Sequence, residues 1–101
     1  MVLKTFYISY ALPECNTEQV RMVFDNLLQN QVVEIAERVL DDKFKPGSTF
    51  KQFFVTIDEC MRFCPALTLM EDAIQQQGFA RVVYRLTANN KERYWKVKMT
   101  R

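Results

Sequence analysis

The chain changes hydrophobic period several times, and each change marks an element. Residues 4–12, KTFYISYAL, are rich in aromatic and β-branched side chains and stop at Pro13, the pattern of a strand. Alternation puts Phe6, Ile8 and Tyr10 on one face and Thr5, Tyr7 and Ser9 on the other. The period then lengthens. Val20, Val23, Phe24, Leu27 and Leu28 recur at helical spacing, behind Asn16 as N-cap with Gln19 three residues on. A helix over residues 17–29 follows. Residues 32–40, VVEIAERVL, fit two patterns. Val32, Ile35, Ala36 and Val39 would extend the helix to residue 40. The polar Gln29-Asn30-Gln31 interruption and the density of β-branched residues favour a strand.

Residues 41–51, DDKFKPGSTFK, hold the only Pro-Gly pair and read as a loop. Residues 52–58, QFFVTID, alternate again, with Phe53, Val55 and Ile57 on one side and Gln52, Phe54 and Thr56 on the other. Pro65 suits a first helical turn, Ala66, Met70, Ala73 and Ile74 form a stripe, and Gly78 marks the stop. Residues 80–86 and 93–99 form two strands around an Ala88-Asn89-Asn90-Lys91 turn, a hairpin. In the second strand Trp95, Val97 and Met99 share one face and Tyr94, Lys96 and Lys98 the other. The order β-α-β-β-α-β-β predicts an α+β fold: a ferredoxin-like β-α-β-β-α-β sandwich with an extra C-terminal hairpin strand. Both helices would cover one face of an antiparallel sheet and leave the other free.

Composition narrows the chemistry. At 101 residues the chain makes one domain, residues 1–101, with 49% apolar residues to build its core. There is no histidine, which removes the commonest general base and metal ligand. Two glycines cannot make a glycine-rich phosphate cradle. Cys60 and Cys64 stand at i, i+4, but Cys15 is remote in sequence and a fourth ligand is missing, so no metal site is expected. The acids Asp41, Asp42, Asp58 and Glu59 come as adjacent pairs, and strand neighbours face opposite ways, so they make no acid–base dyad. The expectation is a binding protein rather than an enzyme, with no cofactor. No apolar stretch reads as a signal peptide or a membrane span, and three cysteines cannot close a full disulfide set. A soluble protein of a reducing, intracellular compartment is expected.

The net charge of +2 hides a polarity. Residues 1–78 hold seven basic and eleven acidic side chains, a net of −4. Residues 79–101 hold seven basic side chains and only Glu92 against them, a net of +6. A basic terminal hairpin reads either as a footprint for a polyanion or as an edge strand protected by lysines.

Order and motif together resemble the RNA recognition motif (RRM) family. The stretch Phe6-Tyr7-Ile8-Ser9-Tyr10-Ala11 is similar to the family's first-strand hexamer, with Tyr7 on the base-stacking position. Phe6 stands where that hexamer has an aliphatic residue, and Tyr10 where it has Asn. Residues 50–57, FKQFFVTI, resemble the third-strand octamer, with Phe54 on its second aromatic position and Val55 on the aliphatic one. Gln52 occupies the first aromatic position, Phe53 the small one, and Lys51 stands where the family has Gly. The run Asp72-Ala73-Ile74-Gln75-Gln76-Gln77-Gly78 is similar to the family's second-helix ending. The aromatic-rich final strand also resembles RRM-like proteins encoded by large double-stranded DNA viruses.

The resemblance implies a single-stranded RNA or DNA partner, with bases stacked on sheet aromatics and phosphates met by basic groups. It assigns the stacking to Tyr7 and Phe54 and leaves Gln52 a base edge. Lys96 and Lys98, beside Tyr94, would track the backbone. Lys43, Lys45 and Lys51 flank a loop that closes over RNA in this family. Tyr10 and Trp95 read as core or rim. The competing reading is a protein-interaction or virion-assembly module, in which the same aromatics hold a protein partner or a second copy.

Overall fold

A computed structural model describes residues 3–28, 32–58 and 64–100. Its elements are β1 (Leu3–Ala11), α1 (Thr17–Leu28), β2 (Val32–Asp41), β3 (Thr49–Asp58), α2 (Pro65–Gln77), β4 (Ala80–Leu86) and β5 (Glu92–Met99). The five strands form one antiparallel sheet in the order β2-β3-β1-β5-β4. The fold is α+β and compatible with a ferredoxin-like arrangement.

Alternation in the strands decides which face the helices take. Phe6 and Ile8 of β1, Phe53, Val55 and Ile57 of β3, Val82 of β4, and Trp95 and Val97 of β5 are all buried on one side. They join Val20, Phe24 and Leu28 of α1 and Leu67 and Met70 of α2 in a single cluster. Burying such a side chain contributes roughly 1.5–3 kcal/mol, so this one-sided pattern sets the face. α1 begins where Asn16 Oδ1 accepts the Gln19 N–H at 2.8 Å, satisfying one orphan donor of the first turn. α2 begins at Pro65 behind Cys64, with no side-chain cap, and ends at Gly78 (φ 89°), whose N–H reaches Ile74 O at 2.8 Å. A left-handed turn there suits a residue without a Cβ.

Residues 32–41 form a strand, not an extension of α1. Val32 pairs with Ile57, Ile35 with Val55, and on to Asp41 with Thr49. Most of its side chains are exposed, as expected of an edge. β3 starts at Thr49, earlier than the alternation in residues 52–58 indicates, so only residues 42–48 form the loop. There Asp42 Oδ1 accepts the Phe44 N–H, and Gly47 sits at φ 84°.

The hairpin is where the sequence expectation needs correcting. The final strand is not the extra edge strand. β5 pairs with β1 through Phe6–Met99, Tyr7–Lys98 and Ile8–Val97, while β4 takes the edge. Burial explains the choice. β5 brings Trp95 and Val97 to the core, whereas β4 brings only Ala80 and Val82. The larger apolar pair takes the interior position. Lys96 and Lys98 therefore do not protect an edge; they stand on an interior strand.

Candidate nucleic-acid interface

On the face away from the helices, registers set out rows of side chains. Lys98, Tyr7, Phe54 and Ala36 lie side by side across β5, β1, β3 and β2. Tyr7 and Phe54 are directly opposed and half-buried, with ring centroids 5.9 Å apart and planes 19° apart. Strand pairing therefore builds the aromatic pair, and no described element packs over it. In the next row Thr5 and Thr56 share a hydroxyl hydrogen bond of 3.0 Å, with Glu34 beyond. In the opposite direction Gln52 stands beside Arg38. Its Nε2 donates to Ser9 O at 3.2 Å, leaving the amide oxygen free to accept.

Two cations on this face are held over aromatic rings. The Arg81 guanidinium lies 5.0 Å from the Tyr94 ring centre and the Lys96 ammonium 4.9 Å from that of Phe79. Such contacts position a charge without neutralising it. No described carboxylate lies within ion-pair distance of Arg81, Lys96, Lys98 or Arg38. Tyr94 is exposed and stands opposite Val83.

Lys51 does not belong to this surface. It shares the helix-side parity of Phe53 and Val55, and its ammonium donates to Cys15 O at 2.6 Å and pairs with Glu37 at 3.1 Å. The early start of β3 is the reason. A residue expected in the loop of residues 41–51 is instead in the ladder, where its parity points it away from Tyr7. Lys43 and Lys45 are exposed on the β2–β3 loop at the end of the sheet.

Tyr10 also departs from simple alternation. A register shift between Ile8 and Ala11 takes it off the Phe6–Ile8 face and stacks it on Phe50, at 5.1 Å between centroids and 20° between planes. It is 47% exposed and forms a rim. Trp95 is core, stacked on Tyr84 at 4.3 Å, and its buried Nε1–H has no partner. Tyr84 is held above its ordinary pKa of 10.0, first by burial and then by the neighbouring Cys15, with Arg93 acting in the opposite direction.

The RRM resemblance singled out Tyr7, Phe54 and Gln52, and alternation added Tyr94, Lys96 and Lys98; the registers bring all six onto one face. Both passed over Phe79, Arg81, Arg38 and the Tyr10–Phe50 pair. Arg81 and Val83 alternate with buried Val82, a signal that could have placed Arg81 once the pairing of β4 was known. The Tyr10–Phe50 pair depends on a bulge that no period reveals.

Cys15 and Cys64 are buried free thiols, and Cys60 lies outside the described residues. Among the described residues no three Cys, Asp or Glu side chains converge as metal ligands. None of the described helices is long and apolar enough to cross a membrane. Comparison with protein-family models, curated proteins and solved structures gives no match.

Proposed function

We propose that this chain binds single-stranded nucleic acid, RNA foremost, across the helix-free face of its sheet. In this reading β1, α1, β2, β3, α2 and β5 make an RRM-like frame, and β4 is an addition at its edge. The observation that carries it is the stacked Tyr7–Phe54 pair in mid-sheet with Lys98 beside Tyr7. Half-buried rings offer a flat apolar surface to a base, and base–aromatic stacking contributes about 1–3 kcal/mol per base. Lys98, Lys96, Arg81 and Arg38 surround the pair with positive charge for the phosphates. Gln52 contributes an amide oxygen to a base edge, which suits a base better than the backbone.

The test is fluorescence anisotropy of a labelled oligouridylate. Binding should weaken as salt rises. The Tyr7→Ala, Phe54→Ala double variant should lose at least about tenfold in affinity, a conservative share of two stacks. Unchanged affinity in a double variant whose circular dichroism and melting match the parent would overturn the proposal.

A further inference from the structure

The sheet has two edges, β2 and β4, and each leaves a row of backbone N–H and C=O groups without a ladder partner. Such an edge accepts a further strand unless something on it prevents pairing, commonly lysine, proline or shortness. β4 carries charge of one sign, Arg81 and Arg85, so a second β4 would bring like charge beside like charge. β2 is different. Its ten residues, VVEIAERVLD, include no lysine or proline, and Val33 and Val39 are 50% and 55% exposed.

Two charges on β2 have no use within one chain. Glu34 stands opposite Thr56 and Arg38 opposite Gln52, so both occupy the helix-free face. Both are exposed, and neither has a hydrogen-bond or ion-pair partner among the described residues. They are four residues apart on one strand, about 13 Å at the usual rise, too far to meet each other. Ala36 lies midway between them. A two-fold axis through Ala36, perpendicular to the sheet, runs β2 antiparallel to the β2 of a second copy. Glu34 then stands opposite the partner's Arg38, and Arg38 opposite the partner's Glu34. The exposed valines fall beside each other at either end. Neighbouring registers lack this match. An axis through Glu34, Glu37 or Arg38 opposes that charge to its own copy. An axis through Ile35 sets Glu34 against Ala36 and Arg38 against Val32.

We infer that β2 is a self-association edge: two copies join through antiparallel β2 strands about Ala36, held by two reciprocal Glu34–Arg38 ion pairs. An interface of this kind uses the same patch twice and closes at a dimer. The two five-stranded sheets become continuous, with both helix-free faces on the same side. Arg38 is drawn to the partner's Glu34, while Lys98, Lys96 and Arg81 stand on β5 and β4, away from the joined edge. One added strand makes a small interface, so the dimer is weak and depends on concentration and salt. The inference does not rest on nucleic-acid binding.

The experiment is sedimentation velocity on the full chain, without nucleic acid, over a concentration series at low and high salt. The parent protein should show a monomer–dimer equilibrium that weakens as salt rises. Arg38→Glu and Glu34→Arg, each alone, turn both ion pairs into like-charge pairs and should raise the dimer dissociation constant at least about tenfold. An equimolar mixture of these two variants puts two acids on one chain and two bases on the other, and should dimerise like the parent. The double exchange Glu34→Arg, Arg38→Glu should do so as well. A monomer at every concentration up to millimolar would overturn the inference. So would a dimer indifferent to both single variants, or a mixture no tighter than its components. A dimer lost in Arg81→Glu but kept in Arg38→Glu would assign the interface to β4 and overturn it too. None of these outcomes bears on the oligouridylate measurement, so the two proposals fail separately.

Discussion

Replacing Lys51 by Met separates the two faces of the sheet. Its methylene stem stays, and its ammonium goes. In the native fold that ammonium donates to Cys15 O at 2.6 Å and pairs with Glu37 at 3.1 Å. The side chains of Lys51 and Glu37 are 18% and 32% exposed, so solvent screens the pair only in part. A charged hydrogen bond contributes about 1.5–3 kcal/mol when intact. The ion pair adds at most about 1 kcal/mol at this exposure. Water reaches part of the site and recovers some of the loss, leaving a cost of about 1–2 kcal/mol. For a domain of this size that is a fall in Tm of about 4–16 °C. Differential scanning calorimetry measures it. Oligonucleotide affinity and its salt dependence should not change, because the lost charge lies on the helix side. Lys98→Met should do the reverse. It should keep the Tm and reduce the slope of log K against log salt by about 0.7, the value for one phosphate contact on a single strand. A Lys51→Met protein with an unchanged Tm and a reduced salt slope would refute both the assigned parity and the bridge to Cys15.

Two further outcomes test the frame. Gly78→Ala meets no atom within 4 Å, so its whole cost is backbone strain at φ 89°. It should lose about 1–2 kcal/mol in chemical denaturation, and a neutral result would show that α2 ends differently. Burial raises the Tyr84 pKa above 10.0, so the fold favours the neutral phenol. Its contribution is full below the unfolded pKa and is lost as pH rises through the folded one. Stability measured from pH 9 upward should therefore fall beyond about pH 10, less steeply in Tyr84→Phe; identical slopes would exclude Tyr84 as the cause.

Local chemistry accounts for most of the elements. Asn16, Pro65 and Gly78 punctuate the helices because capping and turn conformations depend on neighbours within a few residues. Phe53, Val55 and Ile57 define a core face because strand parity is a local property. Residues 32–40 show the limit of such reasoning. Both periods fit, and pairing with β3, a partner supplied by distant sequence, decides for the strand.

By itself, then, the sequence determined every element but β2, their order, and that Tyr7 and Phe54 each lie on the face of their strand away from its apolar residues. It also determined that the basic charge sits on the last hairpin. Only the tertiary structure decided that β5 and not β4 lies beside β1, bringing Lys98 next to Tyr7. It also turned Lys51 to the helix side and used a bulge to set Tyr10 on Phe50. The physical reason is common to all three. Parity and capping are settled over a few residues, whereas strand order and register follow from which long-range pairing buries the most apolar surface, here that of Trp95 and Val97.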